Sequence, residues 1–294
     1  MGNVLSRRSL SRRGFIGACA GLMLSPAWAT NSHRPLRVGL TPAFLHDQHG
    51  VLSEWRLYME NRLRQRVEFL QRDSYRETMD LLRSESLDFA WICDYPYVHL
   101  RKQVNLLAVP IFRGRPYYRA YLIVPAVPPH ITGLRQLRGK VFAYADPYSN
   151  TGYLAPRYEL HKAGEDPSRF FKRTFFTYSH RKVIEAVADG LADGGSVDSF
   201  VWDTLDKIKS DITRRTWVVS QSPEYGFPPF VAHHAVRRES FLAMQQMLLA
   251  MADDPQGKIL LQRLNLDGFT PGTPKLYAGV ADMMREFGEE SIGI

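Results

Sequence analysis

The chain has 294 residues, 45% of them hydrophobic, and a formal net charge of +8. This length allows one large domain or two lobes with hydrophobic cores. Beyond the N-terminus no apolar run reaches the roughly 18 residues of a membrane span, and there is no long lysine and arginine run or nucleic-acid motif, so an integral membrane protein and a nucleic-acid-binding protein are both disfavoured.

The first 29 residues predict an export signal. Arginine pairs at positions 7–8 and 12–13 precede the apolar run GFIGACAGLML, and AWA at positions 27–29 fits the small-x-small cleavage pattern. SRRGFI at positions 11–16 matches the twin-arginine signal, so we expect export to the periplasm and cleavage after Ala29. The four arginines leave with the segment, which lowers the net charge from +8 to +4. Such a mildly basic protein favours anionic solutes.

Short β-like runs alternate with helical patterns through the rest of the chain, which predicts parallel sheets of the α/β class. Ser74 and Glu77 form a capping box, and Asp254 followed by Pro255 is typical of a helix start. The predicted strands are 36–40, 67–70, 87–92, 106–112, 118–124, 140–145, 173–177 and 216–220, and a short strand is expected just before Asp198. The predicted helices are 53–66, 74–84, 152–163, 179–188, 200–209, 238–252, 255–264 and 274–287.

Proline-rich segments at residues 125–129 (PAVPP) and 220–229 (SQSPEYGFPP) interrupt this alternation. Two such segments fit a chain that leaves one lobe, builds a second and returns, although ordinary surface loops are an alternative. We therefore predict a first lobe formed by residues 34–124 plus 224–294 and a second lobe formed by residues 125–223.

Histidines at positions 46 and 49 have a spacing that occurs in metal sites, but HDQH is too short to be specific and a solvated loop is favoured. We expect no metal and no cofactor. After removal of the signal, Cys93 is the one cysteine left, so no internal disulfide is expected.

Residues 146–157 (DPYSNTGYLAPR) connect a predicted strand to a predicted helix and are the strongest functional signal. The first turn of a helix has unpaired backbone N–H groups and a partial positive charge. Ser149, Asn150, Thr151 and Gly152 therefore form a candidate oxyanion cradle, which we call the anion loop. A simple helix cap is the alternative, because serine, asparagine and threonine favour that position anyway.

This pattern of strand, D-P-x-S-x-[ST]-G-Y-L-x-P and helix resembles the anion loop of the periplasmic phosphate/phosphite/phosphonate-binding proteins of ABC importers. The resemblance extends over about residues 36–269. It implies an α/β, two-lobed periplasmic-binding-protein-like fold of type II, with the ligand cleft between the lobes. The family usually has Ser-Thr-Ser-Gly or a near variant in this loop, so Asn150 departs from the pattern and implies an altered ligand.

The resemblance also implies roles for residues on other strand ends. His180, in the pair Ser179-His180 at a helix start, is similar to the histidine that contacts ligand in the family. Asp198 lies where the family often has a polar or acidic ligand contact, and a carboxylate there would select a protonated oxyanion or an amino-bearing ligand. Capping of the following helix is nearly as good an interpretation of Asp198.

Cys93 and Tyr95 follow the third predicted strand, in a block that resembles a strand-turn-helix of the family where an aromatic residue, Tyr95 or Tyr97, lines the cleft. Cys93 is a departure from common phosphonate binders, and the arsenite-sensing branch of the superfamily uses a cysteine to hold the metalloid. A soft thiolate suits such a ligand, but a free cysteine is also a frequent buried apolar residue.

The function expected from these features is an exported solute-binding protein, not an enzyme, that captures a small oxyanion for an inner-membrane ABC permease. One alternative is a ligand-sensing protein for a sensor kinase, with arsenite or another thiophilic oxyanion held through Cys93. A remote alternative is a hydrolase with Cys93 as nucleophile, His180 as base and Asp198 as orienting group.

Overall fold

The computed structural model describes residues 34–41, 49–126 and 131–288. The predicted signal peptide, most of the HDQH loop and most of the PAVPP segment lie outside these residues. No helix in the described part of the chain is long and apolar enough to cross a membrane.

The first sheet has the strand order β13-β4-β12-β3-β1-β2. Its strands are β1 (Leu36–Leu40), β2 (Val67–Gln71), β3 (Phe89–Trp91), β4 (Val104–Ile111), β12 (Phe230–His233) and β13 (Gly268–Thr270). β1 pairs with β2 and β3 in parallel, whereas β12 is antiparallel to both β3 and β4, and β13 is antiparallel to β4.

The second sheet has the order β10-β6-β9-β7-β8. Its strands are β6 (Ala120–Pro125), β7 (Val141–Tyr144), β8 (Arg173–Phe176), β9 (Gly194–Asp198) and β10 (Thr216–Gln221). β7 pairs with β8 and β9 in parallel, but β6 is antiparallel to β9 and β10. The prediction of parallel sheets was therefore wrong for part of each sheet. A strand that enters from the other lobe is not joined to its neighbour by a local helical crossover, so its direction is not constrained to be parallel.

Helices flank these sheets, and eight of those in the described ranges lie close to predicted positions, whereas the third and seventh in chain order were not predicted. The helices are α1 (His49–Leu63), α2 (Tyr75–Arg83), α3 (Asp94–Leu100), α4 (Ala155–Lys162), α5 (His180–Ala188), α6 (Ser199–Ile208), α7 (Ser210–Thr213), α8 (Arg238–Leu249), α9 (Pro255–Leu264) and α10 (Ala278–Glu286). Both predicted caps are confirmed: the hydroxyl of Ser74 accepts from the N–H of Glu77 in a complete capping box, and the carboxylate of Asp254 accepts from the N–H of Gly257.

Two extended segments, residues 112–119 and 222–229, connect the sheets, and we call them the crossing segments. They pair through the short antiparallel strands β5 (Tyr117–Tyr118) and β11 (Tyr225–Gly226). β6 pairs in the second sheet although it precedes the predicted boundary at Pro125, so the chain changes sheet earlier than that boundary. The exact lobe limits stay a prediction.

Aromatic side chains fill the junction between the two sheets. The ring of Phe200, on α6, lies with its centroid 5.2 Å from that of Phe112, 5.2 Å from that of Phe227 and 6.3 Å from that of Trp91 on β3. Because these rings belong to β3 of the first sheet, to α6 after the second-sheet strand β9, and to both crossing segments, the lobes share a continuous buried junction at the base of the cleft.

Candidate functional site

The anion loop follows β7 and opens into a widened helical turn, Asn150–Leu154, that continues as α4. The N–H of Leu154 donates to the carbonyl of Ser149, five residues back, at 3.0 Å. This π-type turn is wider than an α-helical turn, and such turns occur often at functional sites. The sequence predicted the helix start here but not its π geometry.

Ser149 and Gly152 set the shape of the loop. The hydroxyl oxygen of Ser149 accepts from the N–H of Gly152 at 3.0 Å. A Cβ at position 152 would lie 2.4 Å from the Cβ of Ala145 and 2.9 Å from Cε1 of His180. Glycine is therefore required at position 152, because the backbone packs directly against β7 and α5.

His180 lies against Ser149 at the start of α5. Its Nδ1 accepts from the backbone N–H of Asp198 at 3.1 Å, so the ring proton is on Nε2, which lies 3.1 Å from Oγ of Ser149 and donates to it. Burial lowers the pKa of His180 to about 3, so the ring is neutral at physiological pH. The Ser149 hydroxyl accepts two hydrogen bonds and keeps its own proton available for another acceptor.

Asp198 ends β9 and caps α6. Its carboxylate accepts from the N–H groups of Phe200 at 2.7 Å and Val201 at 3.3 Å. Burial raises the pKa of Asp198 well above its usual value, and these two N–H groups oppose the shift. Capping of α6, which the sequence left as an open alternative, is thus what the side chain does.

Two polar groups of the loop are buried without a partner among the described residues: the hydroxyl of Thr151 and the amide oxygen of Asn150. Both residues have no exposed surface. The carbonyl of Thr151 is held by the hydroxyl of Ser196, which donates to it at 2.6 Å. Unpaired buried polar groups are rare and costly, so they mark this loop as a place where a ligand can contribute bonds.

The first lobe faces the loop with Cys93, Asp94 and Tyr118. Oδ1 of Asp94 accepts from the Cys93 thiol at 3.0 Å, the Tyr95 N–H at 2.9 Å and the Tyr118 hydroxyl at 2.7 Å. Its Oδ2 accepts from the side-chain amide of Asn150 at 2.8 Å, across the cleft. The backbone N–H of Tyr75 also crosses the cleft, donating to Asp146 at 3.1 Å. The lobes are therefore closed over the loop, and a solute can reach it only when they separate.

Burial determines the protonation of Asp94 and Cys93, which face the anion loop. It raises the pKa of Asp94 to about 6, against the opposing hydrogen bonds from Cys93, Tyr118 and Asn150. Burial and the neighbouring Asp94 raise the pKa of the Cys93 thiol, while the N–H groups of Asn150 and Tyr95 oppose that shift. Neither Asp94 nor Asp198 forms an ion pair with a lysine or arginine of the described chain.

Seven of the eight predicted site residues meet in this closed centre, whereas Tyr95 contributes its backbone N–H there and its ring packs outside it. Its ring packs against His99, with 4.8 Å between centroids, and Tyr148, at 6.2 Å. It lines a cavity of about 750 Å³ beside the loop, between the lobes. The remaining lining residues are Ser74, Arg76, His99, Asp146, Pro147, Tyr148, Tyr153, Tyr178 and Gly288. Sequence reasoning missed Asp94 and Tyr118; the position of Asp94 directly after a strand was the signal that could have found it.

The hydrolase constellation does not form. Cys93 contacts Asp94 and Tyr118, whereas the two ring nitrogens of His180 contact Ser149 and Asp198. No cluster of three or more potential metal-ligating side chains occurs within the described ranges.

Two lobes that close over a helix-start loop define the class of two-lobed periplasmic-binding-protein-like folds. Comparison with known proteins identifies the family. The family of ABC-transporter periplasmic substrate-binding proteins for phosphonate matches residues 38–277, and the chain belongs to it.

Individual relatives are distant. The probable phosphite-binding protein PhnD1 of Prochlorococcus marinus (strain MIT 9301) is 26% identical over 163 residues, which cover 53% of this chain and 55% of that protein. The chain thus spans about half of that relative. The phosphonates-binding periplasmic protein of Escherichia coli (strain K12) is 24% identical over 258 residues, covering 82% of this chain and 73% of the relative.

The fold has a solved counterpart in PhnD1 of Prochlorococcus marinus in complex with methylphosphonate, with a TM-score of 0.76 and 21% identity over 86% of this chain and 98% of that chain. This confirms the predicted two-lobed α/β fold.

Proposed function

We propose that the chain is an exported binding protein that captures a phosphonate, phosphite or phosphate-like oxyanion between its lobes and delivers it to an ABC permease in the inner membrane. The observation that carries the proposal is the unpaired, fully buried hydroxyl of Thr151 at a widened helix start. It lies beside the available proton of Ser149 and the backbone N–H of Thr151, both of which suit an oxyanion. The names of the relatives support the same ligand class.

The hydrogen bonds that the anion loop offers provide enough free energy to bind an oxyanion. A hydrogen bond to a charged group contributes about 1.5–3 kcal/mol. Three or four such bonds from residues 149–152 approach the roughly 8 kcal/mol of a micromolar complex. Closure of the lobes removes water from the site, which strengthens each of these bonds.

The predicted site residues divide into contacts and supports. Ser149, Asn150 and Thr151 contact the ligand, and Gly152 shapes the loop by donating its N–H to the Ser149 hydroxyl. His180 holds the Ser149 hydroxyl in place through its Nε2 proton, and Asp198 fixes the His180 tautomer with its backbone N–H. Tyr95 lies at the cavity beside the site and can contact an organic substituent.

Opening and closing take place about the crossing segments. They are the two connections between the sheets among the described residues, and β5 and β11 pair there by short strands alone. Rotation about such paired strands changes few backbone angles while the two sheets stay intact. The lobe limits of 34–124 plus 224–294 and 125–223 stay a prediction, and because β6 pairs in the second sheet, labelling studies should assign Ala120–Pro125 to the second lobe.

Export by the twin-arginine route is part of this proposal and rests on the N-terminal sequence. The mature protein then begins at Thr30, and replacement of Arg12 and Arg13 by lysine blocks its appearance in the periplasm. Mass spectrometry of the periplasmic fraction checks both statements; a retained N-terminus or unaffected export contradicts them.

The direct test is isothermal titration of the mature protein with methylphosphonate, phosphite, phosphate and arsenite. Saturable one-to-one binding of a phosphorus oxyanion, with no turnover of a chromogenic phosphoester, supports the proposal. Absence of binding to all three phosphorus compounds overturns it.

Arsenite is a second candidate because the Cys93 thiol lies in the closed centre and contacts Asp94 and the N–H of Asn150. In this alternative the protein serves a sensor kinase instead of a permease. Cys93→Ser then abolishes arsenite binding and spares methylphosphonate. Arsenite binding that survives the substitution, or no arsenite binding by the unchanged protein, removes this candidate.

A further inference from the structure

Asp94 places a carboxylate directly opposite the anion loop. It has no exposed surface, and one oxygen contacts the loop through the Asn150 amide at 2.8 Å. The other donors to it, which are the Cys93 thiol, the Tyr95 N–H and the Tyr118 hydroxyl, are uncharged. A negative group without a cation is an unusual neighbour for a site that captures anions.

The other charged or titratable groups around Asp94 do not neutralise it. Those that interact with it come from α2, both crossing segments, the end of β9, the turn before α10 and the preceding residue. They are Tyr75, Tyr118, Tyr225, Asp198, Tyr277 and Cys93. All are neutral or acidic groups, so none of these described neighbours supplies a positive charge to offset both Asp94 and a bound anion.

Asn150 adds a second hydrogen-bond acceptor to the site, next to the Asp94 carboxylate. The resemblance places a small hydroxyl residue at this position, which can donate to an oxyanion. Here the amide nitrogen is used on Asp94 and, at 3.4 Å, on the Tyr118 hydroxyl, while the amide oxygen is buried without a partner in the described chain. Beside the donors of Ser149 and Thr151 the site therefore has two acceptors, which require a hydrogen-bond donor on the ligand.

We propose that Asp94 is a specificity-determining residue that shares one proton with the bound oxyanion, so that the site accepts tetrahedral anions able to carry a proton and rejects sulfate. This inference rests on the proposed function and refines its ligand class. The proton arrives on a monoanionic ligand or, with a dianion, is taken from solvent by the carboxyl group. No covalent bond is made or broken. The hydrogen bond then joins the two oxygens that would otherwise repel each other.

A shared proton makes affinity depend on pH. Once pH exceeds the pKa values of both the free ligand and Asp94, each complex must take up one proton, and the dissociation constant rises about tenfold per pH unit. For methylphosphonate this limb lies at alkaline pH. Sulfate carries no proton anywhere near neutrality, so its binding is penalised as soon as Asp94 ionises.

The test is titration of methylphosphonate and sulfate from pH 6.5 to 9.5 into the unchanged mature protein, Asp94→Asn and the matched control Asp254→Asn. Asparagine keeps the size and can donate to a dianion. We expect Asp94→Asn to lose the alkaline slope for methylphosphonate and to bind sulfate at least tenfold more tightly. Asp254→Asn keeps both the slope and the rejection of sulfate, because Asp254 caps α9 by accepting from the N–H of Gly257 and asparagine also caps helices.

Each outcome of these titrations supports or overturns the role of Asp94 or the proposed function. Equal affinity of the unchanged protein for sulfate and methylphosphonate, or a flat pH profile, overturns the role of Asp94 while leaving oxyanion capture intact; so does an Asp94→Asn variant that keeps the slope. If Asp94→Asn does not fold, the profile and the sulfate discrimination of the unchanged protein still decide. Failure of every phosphorus oxyanion to bind at any pH removes the proposed function itself.

Discussion

Replacement of Thr151 by valine separates ligand binding from folding. The side chain has no exposed surface, and its hydroxyl has no partner in the described chain. Valine has nearly the same shape and keeps the buried packing, so Thr151→Val removes the hydroxyl and little else. In most buried threonines the same change breaks a hydrogen bond, and that difference makes the substitution informative.

The expected magnitudes follow from the hydroxyl's environment. If it donates to a bound oxyanion, its loss removes one charge-assisted bond, about 1.5–3 kcal/mol, which weakens binding about tenfold to a hundredfold. The free energy of unfolding without ligand stays the same or rises by about 1 kcal/mol, because an unsatisfied buried polar group is removed. Binding and stability are therefore expected to change independently or in opposite directions.

Isothermal titration with methylphosphonate and urea unfolding of the same samples measure the two effects. Thr213→Val is the matched control, since Thr213 on α7 is also buried but its hydroxyl donates to Asp206 at 2.5 Å. It should lose about 1–3 kcal/mol of stability and keep its affinity. Unchanged affinity in Thr151→Val, or a stability loss as large as that of Thr213→Val, refutes the assignment of this hydroxyl to the ligand.

Three further predictions concern the supports of the loop. Gly152→Ala, whose Cβ would lie 2.4 Å from that of Ala145, should abolish methylphosphonate binding in titration; normal affinity would show that the loop can move aside. Asp198→Ala should lower the unfolding free energy by about 1 kcal/mol through loss of the α6 cap, while Asp198→Asn does not, and equal unfolding curves for both variants would contradict the capping role. His180 has a pKa of about 3 in the folded state, below that of an unfolded histidine, so the unfolded chain binds its proton first and stability falls as pH decreases from about 6.5 toward 3. His180→Gln should be less stable at neutral pH but should lose less stability between pH 6.5 and 4. An equal loss of stability in both proteins over that range argues against a buried neutral ring.

The sequence predicted the parts of the fold that depend on local chemistry. The Ser74 capping box and the Asp254 helix start are correct because a cap is decided within four residues. The parallel direction expected for β6 was wrong because it depends on which lobe the chain arrives from, and no local pattern records that. β12 was not predicted as a strand.

The candidate site shows the same division. Ser149 and Gly152 were found because a helix start with small polar residues is a local pattern. Asp94 and Tyr118 were missed because their position opposite the loop depends on closure of the lobes. The sequence could not choose between a capping and a ligand role for Asp198. The hydrogen bonds that its carboxylate accepts from two backbone N–H groups favour capping. Tyr95 lies just after its strand as expected, but the helical geometry of α3 turns its ring toward His99.

The most direct test of the account is a crystal structure of the mature protein grown with methylphosphonate. We expect the phosphonate oxygens within hydrogen-bond distance of the Ser149 and Thr151 hydroxyls and of the Thr151 N–H, with one oxygen against the Asp94 carboxyl group. Methylphosphonate bound only in the neighbouring cavity lined by Tyr95, with the Thr151 hydroxyl still without a partner, would contradict it.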